Sequence, residues 1–151
     1  MPQSLNKIFI HLIFHVKTIS PLIREEDMGR VHSYIGQLIN DAGCKVVRVG
    51  GVMDHVHILF LLSREMTISM ITEEVKRNSS RWIKTLSSHY RQFAWQGGYA
   101  ALSVSKSVVD KTIHYIDNQI EHHKRVSFAD EYRGFLDAYD IEYDERYVFR
   151  D

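Results

Sequence analysis

Hydrophobic positions along this chain switch between two periods. Asn6 to Lys17 is dense in Ile, Phe and Val and reads as a β-strand, broken at Ser20-Pro21. Arg24 to Ala42 carries apolar residues at helical spacing (Met28, Val31, Ile35, Leu38, Ile39), with Gly43 where a C-terminal cap belongs. Lys45 to Val49 is short and β-branched, Gly50-Gly51 reads as a turn, and Val52 to Leu62 returns as a third strand, so the pair predicts a hairpin. Thr67 to about Leu86 is a long helix with Ile68, Ile71, Val75, Trp82, Ile83 and Leu86 as its stripe. Gly97-Gly98 marks a loop, and Ala101 to Ser105 is a fourth strand. Ser107 starts a helix to about His123, and Phe128 to Ala138 forms a further short one. The order strand–helix–strand–strand–helix–strand predicts an α+β, ferredoxin-like (split βαβ, RRM-like) antiparallel sheet. Its helices lie on one face, and an added C-terminal helix carries Tyr115.

At 151 residues, 44% apolar and 25% charged, the expectation is one globular domain over 1–151. There is no apolar run of membrane-spanning length and no secretory order at the start, so no membrane is expected and the chain reads as cytoplasmic. The one cysteine, Cys44, lies in apolar surroundings and reads as a buried thiol. Net charge is zero, but it is unevenly placed. Residues 126–151 hold eight acids against three arginines, −5, so the rest of the chain is +5. A basic body with an acidic tail is compatible with a polyanionic partner. A merely solvated terminus is the plainer alternative.

The chemistry concentrates at His55-Val56-His57, inside Asp54-His55-Val56-His57-Ile58-Leu59-Phe60. Alternate residues on a strand share a face, so two imidazoles point the same way, as a divalent metal needs or as two half-buried histidines would lie. About sixty residues on, Tyr115 and Gln119 are four apart on a helix and share a face, with Lys111 and His122 close by. They sit off the stripe of Val109, Ile113, Ile116 and Ile120, which also fits a plain surface pair. A phenol titrates near pH 10 and is a poor nucleophile unaided. A divalent ion polarises a phosphate, and two histidines with a glutamine carbonyl would hold it without cancelling its charge. His11 and His15 share a face of the first strand. They either add to this site or line a partly polar sheet face.

With these residues in place, the chain resembles the HUH single-tyrosine transposases of the smallest bacterial insertion sequences (IS200-like). The likeness runs nearly end to end. It includes Asp54 to Leu59, Lys76-Arg77-Asn78-Ser79-Ser80-Arg81-Trp82-Ile83, Phe93-Ala94-Trp95-Gln96-Gly97-Gly98-Tyr99 and Leu102-Ser103-Val104-Ser105. It continues through Tyr115-Ile116-Asp117-Asn118-Gln119 with His122-His123, and ends in Ile141 to Tyr147. The resemblance implies that His55, His57 and Gln119 hold Mg²⁺ or Mn²⁺ and that Tyr115 is the nucleophile. It implies cleavage and rejoining of single-stranded DNA through a covalent 5′-phosphotyrosine and a free 3′-hydroxyl. It further implies recognition of hairpins at element ends and a homodimer, often with sites shared between subunits. Thr18-Ile19-Ser20 departs from the family, where many relatives carry an arginine after the first strand.

For DNA contact the sequence offers Arg77, Arg81 and Lys84 on one helix face with Lys76 beside it, the hydroxyl of Ser79, and Lys111 and His122 beside the tyrosine. A solvated helix face is the plain alternative. Trp82 lies on the apolar stripe and reads as core. Trp95 and Tyr99 either anchor a loop or stack on an unpaired base. A histidine-triad nucleotide hydrolase would need a third alternating histidine, where Leu59 stands. Two related alternatives are a domesticated hairpin-binding HUH nuclease and a ferredoxin-like nucleic-acid-binding module without transposition.

Overall fold

The computed structural model describes every residue from Met1 to Asp151. Four strands form one antiparallel sheet in the order β2-β3-β1-β4: β1 (Phe9–His15), β2 (Lys45–Val52), β3 (His55–Leu61) and β4 (Ala100–Val104). This is the expected ferredoxin-like arrangement. Helices α1 (Glu25–Asp41) and α2 (Ile68–Lys84) cover one face. Alternation on β1 and β3 sends Ile10, Leu12, Phe14, Val56, Ile58 and Phe60 to that side. There they pack with Val31, Ile35, Ile39, Ile71 and Val75 of the helices. Several are wholly buried, and each such side chain stabilises the fold by about 1.5–3 kcal/mol. Thr67 caps α2, its hydroxyl accepting from Met70 N at 3.1 Å. Gly43 holds a φ of 90° just past α1, where only a residue without Cβ is at ease. Cys44 is buried.

The hairpin differs from its expected form. Gly50 and Gly51 are not the turn: β2 runs through both, pairing with His57 and Val56, and Met53-Asp54 makes the two-residue connection. The glycines are required for closeness instead. A Cβ on Gly50 would stand 2.7 Å from the carbonyl oxygen of Ile116, and one on Gly51 would stand 2.3 Å from that of His55. Gly50 is therefore the seat of the helix that follows β4.

That helix covers the opposite sheet face, and it is not continuous. Instead of one rod from Ser107 to His123, a 3-10 turn (Lys106–Val108) leads into α3 (Val109–Asp117). Asn118 leaves helical geometry, and a single turn, α4 (Gln119–His122), follows. Tyr115 thus rides on α3, which precedes two further helical segments. The break rotates Ile120 out to 58% exposure, off the stripe it shares with Ile113 and Ile116 by spacing alone. Ile116 and Val109 join Phe9, Leu59 and Val104 in a small cluster on this face.

The acidic segment folds. Helix α5 (Phe128–Ala138) begins at Ser127, whose hydroxyl accepts from Asp130 N at 3.2 Å. Tyr132 and Leu136 pack on Ala100, with Phe128, Tyr143, Val148 and Phe149 around them. Beyond it the chain is tied back. Gln96 Nε2 donates to Arg150 O at 2.7 Å, and Thr18 N donates to Asp151 Oδ1 at 2.6 Å, in the loop after β1. His15 is buried under this segment, between Phe128, Tyr132 and Phe149, and its Nδ1 has no partner.

Two predictions follow from this packing. Gly50→Ala must push α3 off the sheet, so urea unfolding should show a loss of about 1–3 kcal/mol, an overpacking effect; an unchanged midpoint would refute the close approach. Burial lowers the pKa of His15 from 6.5 to about 4, outweighing the pull of Asp54. The unfolded chain therefore takes up a proton between pH 6.5 and 4 that the folded chain refuses, and stability falls as pH drops through that window. The share of one such group is at most about 3 kcal/mol. Urea midpoints compared at pH 7 and 4.5 should drop less in His15→Leu than in the parent.

Candidate active site

On the sheet face away from the main core, β3 presents His55 and His57, both fully buried. Each is held by its Nδ1. His55 Nδ1 donates to Asp54 Oδ1 at 2.7 Å, and His57 Nδ1 shares a hydrogen bond of 2.7 Å with His11 Nε2. Fixing one ring nitrogen aims the other, the arrangement seen around metal-binding imidazoles. His11 therefore serves His57 from behind, while His15 stands apart from the site.

Both Nε2 atoms point at one carboxylate. Glu131 of α5 places Oε1 at 2.9 Å from His57 Nε2 and 3.4 Å from His55 Nε2. Its Oε2 accepts from the Tyr115 hydroxyl in a short hydrogen bond, and from Gln119 Nε2 at 3.1 Å. His123 Nε2 lies 3.1 Å and His122 Nε2 3.2 Å from the same oxygen. Gln119 Oε1 faces His55 Nε2 and His123 Nε2, each at 2.9 Å. Tyr115 and His57 have ring centroids 5.7 Å apart within one chain. The break at Asn118 does not separate Tyr115 from Gln119, since both reach Glu131.

The electrostatics follow from this crowding. Burial disfavours a charged His55, but hydrogen bonds to Asp54 and Glu131 outweigh it and push its pKa up to about 9. Both of its nitrogens face oxygen acceptors, so without a metal both carry protons. Burial pushes His57 down, and burial with the charge of His57 takes His11 down to about 3. Burial works against ionised Glu131, but the hydrogen bonds from His55 and His57 hold it far below the usual carboxylate range. Burial and the Glu131 hydrogen bond push Tyr115 well above the ordinary phenol value, so the resting hydroxyl keeps its proton.

The donor set fits a divalent cation. Ligand atoms of His55, His57, His123 and Glu131 all lie within 4.8 Å of one another, and Gln119 Oε1 joins them. His123 donates from Nδ1 to Val126 O at 2.7 Å, so its neutral form turns a lone pair toward two oxygens. Lone pairs aimed at one another need a proton or a cation between them. Beside the neutral set expected, a carboxylate with a 2% exposed side chain sits among the candidate ligands. Sequence reasoning left Glu131 in the acidic tail and placed His123 at a helix end. The signal was available, because Glu131 falls on the inward stripe of Phe128, Tyr132 and Leu136, where an unpaired charge is costly.

The expected DNA contacts are scattered. Ser79 is fully buried: it accepts from Trp95 Nε1 at 3.0 Å and donates to Lys76 O, so it is not placed to meet a phosphate. Lys76 is also turned inward. Its Nζ donates to Gln96 O at 2.7 Å and Gly98 O at 2.6 Å and lies over Phe14, and burial takes its pKa down to about 8. Lys76 and Ser79 thus tether the Trp95–Gly98 loop, and Trp95 is a loop anchor. Trp82 is half-buried, stacked on Tyr34 at 4.3 Å. Arg77 pairs with Glu73 and Glu74, whereas Arg81 and Lys84 are exposed without acidic partners. All three lie on α2, across the sheet from the histidines. Lys111 is exposed one turn before Tyr115, and His122 Nε2 is 3.3 Å from the Tyr115 hydroxyl. A cavity of about 740 Å³ opens beside the site, between α1, the Met53-Asp54 turn and α4, with Gln119, His123 and Asp54 in its wall.

No helix is long and apolar enough to cross a membrane. No curated protein matches the chain significantly. Among solved structures, a candidate transposase from Deinococcus radiodurans R1 superposes with a TM-score of 0.60 at 21% identity, over 79% of this chain and 98% of that one. A REP-associated tyrosine transposase bound to a REP hairpin also gives 0.60, at 12% identity, over 83% and 74%. These likenesses establish a shared fold. The family model described as "Transposase IS200 like" matches residues 4–119, most of the chain, and the protein belongs to that family.

Proposed function

We propose that this protein cleaves and rejoins single-stranded DNA, with Tyr115 as nucleophile and His55, His57 and Gln119 holding Mn²⁺ or Mg²⁺. One observation carries the reading: the Tyr115 hydroxyl and the Nε2 atoms of His55 and His57 meet at the two oxygens of one carboxylate. Nucleophile and candidate ligands are thus a single small anion apart, the separation that a scissile phosphate would span.

In this reading the tyrosine oxygen loses its proton and attacks phosphorus. The P–O3′ bond breaks, and the departing 3′-oxygen takes up a proton. The new phosphotyrosine retains the ester energy, so a second 3′-hydroxyl reverses the step and joins another strand. When bound, the cation draws charge from the phosphate oxygens. Asp54 and His11 orient the imidazoles. In this reading one chain supplies the whole site, in cis, within a homodimer. A hairpin is the partner most worth offering, because a relative of the same fold is bound to one. Arg77, Arg81, Lys84 and Lys111 are the cations proposed to meet its phosphates, and the whole chain 1–151 acts as one unit.

A labelled hairpin with a single-stranded flank, incubated with protein and Mn²⁺, should give a covalent adduct on a denaturing gel. Tyr115→Phe should give none, and an adduct that survives this change would move the nucleophile elsewhere. His57→Ala should lower adduct formation beyond the roughly 10–100-fold typical of changes behind a metal ligand, while hairpin binding by gel shift persists. Loss of binding together with cleavage would argue that His57 is structural.

A further inference from the structure

We infer that Glu131 is itself a ligand of the divalent ion, and that its second oxygen holds the Tyr115 hydroxyl beside that ion. The inference rests on the metal reading above and extends it to a residue outside the segment 4–119.

The two carboxylate oxygens divide their contacts. Oε1 faces both His55 Nε2 and His57 Nε2, at 3.4 and 2.9 Å, while Oε2 takes the Tyr115 hydroxyl. Gln119 Oε1 stands 2.9 Å from His55 Nε2. These separations match the edges of a coordination shell: six ligands about 2.1 Å from a small hard cation lie about 3 Å from their neighbours. An ion seated among His55, His57, Gln119 and Oε1 would replace the protons that now bridge them. The carboxylate also suits the ion. Imidazoles alone favour zinc, copper or nickel, and a charged oxygen donor moves the site toward manganese and magnesium.

Side-chain packing holds this placement. Helix α5 is capped by Ser127 and anchored through Tyr132 and Leu136 on Ala100, and Phe128 stacks on His55 at 4.3 Å. Phe135 packs edge-on against both Tyr115 and His11. A ligand fixed by its own packing keeps its geometry when the ion binds. Glu131 thereby does two things. It lowers the net charge of the loaded site by one, and it ties the nucleophile to the metal's inner shell.

The test is Mn²⁺ binding to the full-length protein without DNA, followed by calorimetry and by the Mn²⁺ electron paramagnetic resonance signal. The parent should bind one ion. Glu131→Gln should bind it at least about 10-fold more weakly, with Zn²⁺ affected less than Mn²⁺, and Glu131→Asp should recover part of the loss. His57→Ala should abolish binding. If Glu131→Gln, shown folded by circular dichroism, binds Mn²⁺ as tightly as the parent while His57→Ala does not, this inference is wrong and the metal site stands. A Glu131→Gln protein that cleaves the hairpin faster than the parent would also overturn it, marking the carboxylate as an obstruction in the phosphate's place. A parent that binds no Mn²⁺ would remove the metal reading and this inference together.

Discussion

Strand alternation on β3 is the constraint on which everything else depends. Val56, Ile58 and Phe60 face α1 and α2 and belong to the main core, while His55 and His57 face the other way. Because the side-chain period is two, one slip in register would send imidazoles into the core and aliphatics into the site. Burial of the aliphatic set therefore aligns the histidines as well as stabilising the fold. The same pairing brings β1 alongside, so that His11 can support His57 and His15 lies opposite His55.

A second layer completes what the sheet begins. Helix α3 rests directly on the backbone of Gly50, which brings Tyr115 within reach of the histidine face. The interruption at Asn118 then lets Gln119 turn inward while Ile120 turns out. Helix α5 closes the arrangement by inserting one carboxylate among four imidazoles, an amide and a phenol. A buried carboxylate alone would be costly by several kcal/mol, so the surrounding donors are what make this position of α5 tolerable. The same donors are held in place by the charge they surround. Site and C-terminal segment are thus packed as one unit through Glu131.

The polar residues of α2 show how one sequence motif divides between structure and surface. Lys76 and Ser79 turn inward to the loop that carries Trp95, while Arg77 and Arg81 turn outward. At 100° per residue, Lys76 and Ser79 fall on one side of α2 and Arg77 and Arg81 on another. The loop packed against α2 engages the first pair, while Arg77 pairs with Glu73 and Glu74 and Arg81 stays exposed without an acidic partner.

Much of this protein follows from local pattern. The element order, the alternation that pairs His55 with His57, the four-residue spacing of Tyr115 and Gln119, and the capped helix at Phe128 to Ala138 are short-range properties. Propensity and period decide them, so the residue string was sufficient. Three things needed the folded chain. Gly50 reads as a turn residue until α3 is seen to lie against it. The helix through Tyr115 reads as continuous until its packing on β2 and the turn at Asn118 interrupt it. Glu131 can be put on the inward stripe of α5 by spacing, but its meeting with the histidines appears only when α5 is laid over them. Each depends on which distant segments touch, and contacts between distant segments are set by the packing of the whole chain rather than by any window of it.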